Sequence, residues 1–124
     1  MQIFVINLPD AIKRRKLQED QLTKLGLGYI ILDATSVEDI SEAAYKKHYF
    51  DWQRPLRKTE VACYYSHRSA WDRVIRSGVP ALILEDDAIL SIFLPELLES
   101  LNKIKSTDLI NLENRSRKKF VSRS

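Results

Sequence analysis

Apolar and β-branched residues run unbroken from Ile3 to Ile6 and stop at Asn7, with Pro9 and Asp10 behind them as turn and helix-start residues. That pattern predicts a short first strand. Strong helix formers fill Ala11 to Leu25, and Gly26 stands where a helix C-terminus favours glycine, with Gly28 just beyond. This first helix carries charge over much of its surface. "YIILDA" then supplies a second short strand, Tyr29 to Leu32. Strand, helix and strand on tight connections predict the opening unit of a parallel α/β sheet with a right-handed crossover.

Ser36 to Tyr49 reads as one or two short helices, and "DWQRPLRK", Asp51 to Lys58, follows no period and reads as a surface loop. Thr59 and Glu60 can start the next helix. Its apolar positions Val61, Tyr64, Tyr65, Trp71, Val74 and Ile75 fall largely at helical spacing until Gly78, so it should pack on the sheet. After Pro80, the apolar run Ala81 to Leu84 predicts a strand buried on both faces. "LPELLESLNKI", Leu94 to Ile104, predicts a further helix, and "DLINLE", Asp108 to Glu113, a fourth strand. No internal repeat or low-complexity linker interrupts this order.

A chain of 124 residues accommodates one domain, and 44% hydrophobic with 30% charged residues is the composition of a folding chain. No stretch approaches the ~20 consecutive apolar residues of a membrane span, and "MQIFVINLPD" lacks the basic start and long apolar core of a secretory signal. A cytoplasmic location is the expectation. The single cysteine, Cys63, cannot form an internal disulfide, and with only His48 and His67 for company it gives little reason to expect zinc. The net charge of +3 owes much to Arg115, Arg117, Lys118, Lys119 and Arg123, so residues 114–124 read as a basic tail behind an α/β domain of residues 1–113.

The densest negative charge stands at the end of an apolar strand, in "ALILEDDAIL". In open α/β sheets ligands bind beyond the carboxyl ends of the strands, which is where Glu85, Asp86 and Asp87 fall. Crowded carboxylates repel one another and lose hydration beside an apolar strand, so they call for a cation or a basic side chain. Mg²⁺ and Mn²⁺ take oxygen ligands and keep positions for water and phosphate. On an extended segment Glu85 and Asp87, at i and i+2, would face one side and Asp86 the other. A solvated strand end remains the alternative.

Three segments, "IFVINLPDAIKRRKLQEDQLTKLGL", "YIILDA" and "TEVACYYSHRSAWDRVIRSGVPALILEDDAIL", together resemble glycosyltransferase family 25, as found in lipooligosaccharide galactosyltransferases. The features that carry the likeness are an arginine-pair helix after the first strand, an E-x-x-C-x-x-S-H helix, and an aliphatic strand ending in EDD. It covers most of residues 2–113. The resemblance implies a GT-A-like, Rossmann-like sheet flanked by helices, and transfer of a hexose, usually galactose from UDP-galactose, to a lipid-linked lipooligosaccharide or lipopolysaccharide acceptor. It also implies peripheral association with the inner membrane. Glu85, Asp86 and Asp87 would take the place of a DxD-type motif, in which Asp87 and Glu85 bind Mn²⁺ or Mg²⁺ and Asp86 assists at the donor. Ile6 and Asn7 would lie near the base and ribose. Arg14 would serve a phosphate or an ordinary surface pair, as would Arg15, which has Glu19 at i+4. Ser66 and His67 match the family's S-H pair, and His67 would hydrogen-bond sugar or phosphate or serve structure alone.

The chain departs from the family pattern at Ala62, where glycine is common, and in the loop "RPLRKTE". Family members run to about twice this length, so the donor-binding half is represented, apparently truncated before the acceptor half, and no carboxylate here is nominated as the base for the acceptor hydroxyl. Cys63 and His67, at i and i+4, could form a nucleophilic pair, but the sequence supplies no orienting group or oxyanion site. Rival readings are a non-catalytic nucleotide-sugar- or partner-binding module that self-associates to cover apolar surface, a receiver-type signalling domain, and a nucleic-acid binder. The receiver fails because Asn7 and Leu8 stand where its acidic pair belongs. The last has Trp52, Arg54, Arg57 and Lys58 but no recognition motif.

Overall fold

The computed structural model describes residues 1–114, so the basic tail expected at 114–124 lies, from residue 115 on, outside the described residues. The elements are β1 (Gln2–Asn7), α1 (Ile12–Lys24), β2 (Ile30–Asp33), a 3₁₀ turn (Val37–Asp39), α2 (Glu42–His48), α3 (Lys58–Ser77), β3 (Ala81–Glu85) and α4 (Leu94–Leu101). The three strands form one parallel sheet in the order β2-β1-β3. Val5 faces Ile31 on one side and Leu84 on the other, so β1 is the central strand. The α/β sheet flanked by helices is the fold class expected.

Alternation along β1 divides the core between the two faces of the sheet. Ile3 and Val5 pack with Leu22 of α1, Leu84, and Leu94 and Leu98 of α4. Phe4 and Ile6 pack on the opposite face with Leu32 and with Ala70 of α3. Helices thus cover both sides of β1, and every residue from Ile3 to Asn7 is buried. A third cluster, Ile40, Val61 and Ala62, seats the 3₁₀ turn and α2 against α3.

The helix ends follow local chemistry. α1 closes on Gly26 at φ 68°, where the Gly26 and Leu27 N–H groups donate to Thr23 and Leu22, the left-handed cap that glycine adopts at no steric cost. α3 ends the same way on Gly78 at φ 63°. Its start is one residue earlier than Thr59. The Glu60 carboxylate accepts the Arg57 N–H at 2.7 Å and pairs with the Arg54 guanidinium, which holds Glu60 down at about 2. The loop 51–57 is thereby tied to the helix it precedes.

Further sequence expectations are corrected. β3 is an edge strand on which only Leu84 is buried, because α/β burial on both faces goes to the central strand. Asp108–Glu113 forms no strand, and Leu109 is 78% exposed. A strand is stabilised by its ladder partner and not by its own apolar pattern, and this segment meets none among the described residues. The last helix also stops at Leu101, where Lys103 and Ile104 donate to Ser100 and Leu101 in tighter i→i+3 bonds.

The segment after β3 is held to α1 by amides that the sequence reading passed over. Gln18, fully buried, donates from Nε2 to the carbonyls of Asp86 at 3.2 Å and Ala88 at 2.7 Å. Gln21 donates to Ala88 at 3.0 Å and accepts the Leu90 N–H at 2.9 Å. Replacing Gln18 by Ala leaves two inward-facing carbonyls without these donors and should cost about 2–3 kcal/mol in urea denaturation. Lys16→Ala, which removes an exposed pair with Asp20, should change stability by less than about 0.5 kcal/mol. Equal losses from the two substitutions would show that the glutamine clamp contributes nothing particular.

Candidate functional site

The carboxyl ends of β1 and β3 lie side by side, since Ile6 pairs with Glu85. Asn7 and the acidic triplet are therefore neighbours in space although 79 residues separate Asn7 from Asp86. Asp86 turns inward and is 7% exposed. One of its carboxylate oxygens accepts from Asn7 Nδ2 at 2.8 Å and the other pairs with Arg14 at 3.2 Å. Asn7 Nδ2 also donates to the Ala11 carbonyl at 3.2 Å, fixing the start of α1 against the strand end.

Glu85 and Asp87 are exposed. The Ala88 N–H donates to the Glu85 carbonyl at 3.2 Å, so Asp86 and Asp87 occupy a turn, and the alternation of an extended strand does not continue through them. What separates Asp86 from its neighbours is its bonding to Asn7 and Arg14. Ile6 is buried in the core beside Phe4, leaving only its backbone toward the strand end. Arg14 keeps about half of its side chain in solvent, at 51%, and an open hollow of about 420 Å³ is lined by Asp10, Ala11, Ile12, Lys13 and Arg14. Arg15 pairs instead with Glu19 at 3.0 Å along the helix surface.

α3 forms the other wall. Ser66 is buried, accepts the Thr35 N–H at 2.8 Å and donates to the Ala62 carbonyl at 3.0 Å, so it anchors the chain leaving β2. His67 reaches across to β3 and places Nε2 3.0 Å from a Glu85 carboxylate oxygen. Cys63, one turn earlier, places Sγ 3.9 Å from the same oxygen. The Cys63 sulfur and then the Glu85 carboxylate favour the imidazolium over the opposing effect of partial burial, and push His67 up to about 9. The Trp71 ring stands 6.1 Å from that of His67. His48, by contrast, is occupied within the fold, between Asp51 at 2.6 Å and the Tyr65 hydroxyl at 3.2 Å.

The structure thus brings Asn7, Arg14, Glu85, Asp86 and Asp87 to one end of the sheet, with His67 on Glu85 and Ser66 set into the adjoining wall. The sequence reading missed Gln18 and Gln21, whose only signal was two amides at i,i+3 in a helix otherwise rich in charge. It also set Cys63 and His67 apart from Glu85, because no local spacing links a helix to a strand end 18 residues away.

The profile described as "Glycosyltransferase family 25 (LPS biosynthesis protein)" matches residues 1–124. The chain belongs to glycosyltransferase family 25. It is similar to procollagen galactosyltransferase 1-B of Xenopus laevis, with 26% identity over 112 residues covering 81% of this chain and 18% of that protein. It is likewise 26% identical over 97 residues to a protein of Rattus norvegicus named "Probable inactive glycosyltransferase 25 family member 3", covering 71% of this chain and 17% of that one. The chain therefore spans less than a fifth of the length of these curated relatives. Among the described residues, no helix is long and apolar enough to cross a membrane.

The His67 pairing sets a pH dependence. The folded chain favours the imidazolium up to about 9 against an ordinary value of 6.5, so the stability it contributes is complete below 6.5 and disappears as pH rises through about 9. In chelator, the wild type should lose stability relative to His67→Gln across that window, starting from an advantage of about 1 kcal/mol on its acid side. Parallel urea-denaturation profiles for the two proteins between those pH values would contradict the assignment.

Proposed function

We propose that this chain is the donor-binding part of a family 25 hexosyltransferase that uses a UDP-sugar, in the first instance UDP-galactose, and a glycan acceptor of the lipooligosaccharide or lipopolysaccharide type. The observation that carries the reading is the exposed pair Glu85 and Asp87, held at the carboxyl end of a parallel sheet by an Asp86 whose own oxygens are engaged by Asn7 and Arg14. The word galactosyltransferase in the name of the Xenopus relative favours galactose as the sugar. Its naming of procollagen leaves the acceptor to be argued from the family description, which refers to lipopolysaccharide biosynthesis.

The donor set suits a hard divalent cation, because Glu85 and Asp87 are two exposed carboxylates two positions apart, Glu85 keeping about half of its side chain in solvent beside His67. These two residues would hold Mn²⁺ or Mg²⁺. A bound ion would supply positive charge against a departing diphosphate. The residues of the chain do the rest. Arg14, at the lip of the hollow, has donors directed to solvent beyond its pair with Asp86 and can add a cationic contact to a phosphate. The Asn7 side chain is committed to Asp86 and Ala11, so its role is to fix the turn that carries the carboxylates. His67, as an imidazolium, partly offsets the Glu85 charge.

A second reading, a binding module without turnover, draws support from the inactive family members among the relatives. Calorimetric titration of the purified chain with UDP and UDP-galactose, with and without Mn²⁺, separates the possibilities. Mn²⁺-dependent binding that Asp87→Asn weakens by about tenfold or more is expected for a bridging carboxylate. Donor binding without sugar transfer or hydrolysis would favour the module. Absence of UDP binding under every condition would refute both.

A further inference from the structure

We propose that Cys63, His67 and Glu85 form a second metal site, one for a thiophilic divalent cation of the zinc type, at the junction of α3 and β3. One ligand atom from each residue lies within 4.8 Å of the other two, namely Sγ, an imidazole nitrogen and a carboxylate oxygen. Two of these separations are 3.0 Å for His67 to Glu85 and 3.9 Å for Cys63 to Glu85. Around an ion bound at about 2.0–2.3 Å, tetrahedral ligands stand roughly 3.3–3.5 Å apart. The three groups are therefore within a few tenths of an ångström to about an ångström of the required triangle, a distance that side-chain rotation can close.

The scaffold suits the purpose. Cys63 and His67 are one turn apart on a helix that is capped at both ends, the i,i+4 spacing at which two helical side chains meet a common ion. Glu85 comes from the last residue of a strand whose pairing with β1 fixes its place. Two elements thus converge on one point. Cys63 and Glu85 are exposed and His67 is partly so, which gives an ion a path in and leaves the fourth position to water.

Ligand chemistry separates this site from the acidic turn. A thiolate, an imidazole and one carboxylate prefer zinc-like ions, whereas Glu85 with Asp87 offers only oxygen and prefers Mg²⁺ or Mn²⁺. Glu85 is common to both sets. A cation of the zinc type at Cys63 and His67 holds Glu85 on α3, where its carboxylate already stands 3.0 Å from His67, and withholds it from a site shared with Asp87, so it acts as an inhibitor of donor binding. That last clause rests on the proposed function; the site itself does not.

The test uses the full chain under reducing conditions, with Co²⁺ as a spectroscopic probe and Zn²⁺ as competitor. Tetrahedral Co²⁺ with a thiolate-to-metal charge-transfer band, displaced by Zn²⁺, is expected in the wild type and absent in Cys63→Ser and Cys63→Ala. His67→Gln and Glu85→Gln should each weaken Zn²⁺ by about tenfold or more, and Asp87→Asn by less than about twofold. A wild type without the band overturns the site. So does affinity unchanged in His67→Gln and Glu85→Gln, which would mean an adventitious thiol–metal contact only. For the inhibitory clause, Zn²⁺ should suppress Mn²⁺-dependent UDP binding in the wild type and not in Cys63→Ser; equal suppression in both, or none, overturns it. A wild type that binds no UDP at all refutes the proposed function and the inhibitory clause, and the cobalt titration alone then decides the site.

Discussion

The inward placement of the Asp86 carboxylate is the constraint on which the acidic end of the sheet depends. A carboxylate whose side chain is only 10% exposed forfeits most of its hydration, and that cost is acceptable only where donors replace water. Asn7 at the end of β1 and Arg14 on the first turns of α1 supply them, and the Gln18 amide takes the backbone carbonyl of the same residue. Three separate parts of the chain are thereby joined at one residue. Its immediate neighbours Glu85 and Asp87 are exposed, Glu85 turning toward His67 and Cys63 of α3.

The same network explains why the helix α1 tolerates two glutamines on its inner side. Their amides stand where an apolar side chain would leave the carbonyls of Asp86 and Ala88 unpaired. The arrangement is not free of cost. Asn7 Oδ1 and Gln18 Oε1 are buried without a hydrogen-bond partner, because each amide is oriented by acceptors that claim its nitrogen. A buried acceptor left in that state costs on the order of 1–3 kcal/mol, which the fold accepts at the residues that shape the turn.

α3 contributes a different chemistry to the same edge. Ser66 points into the fold and secures the chain after β2, while Cys63 and His67, on the neighbouring face, turn toward Glu85. Their shared partner is the Glu85 carboxylate, so a thiol and an imidazole stand against it from α3, while the exposed Asp87 follows two residues later in the turn. Glu85 is accordingly the residue at which the two walls of the site meet.

Much of this was readable from local pattern. The strand Ile3–Asn7, the helix closed by Gly26, the long helix closed by Gly78 and the carboxylates at a strand's end are all consequences of near-neighbour periodicity and turn chemistry, so the sequence by itself determined these elements, their parallel α/β arrangement and the place of the acidic triplet at a strand end. The tertiary structure decided which strand is central, why 108–113 forms no strand, which of the three carboxylates is inward, and that Cys63 and His67 share a partner on β3. The inward carboxylate and the shared partner depend on contacts between residues 18 to 79 positions apart, and the missing strand on the lack of a ladder partner among the described residues. No pattern confined to one helix or strand encodes them, because they arise only when the pairing of β1 with β3 and the packing of α1 and α3 bring their ends together.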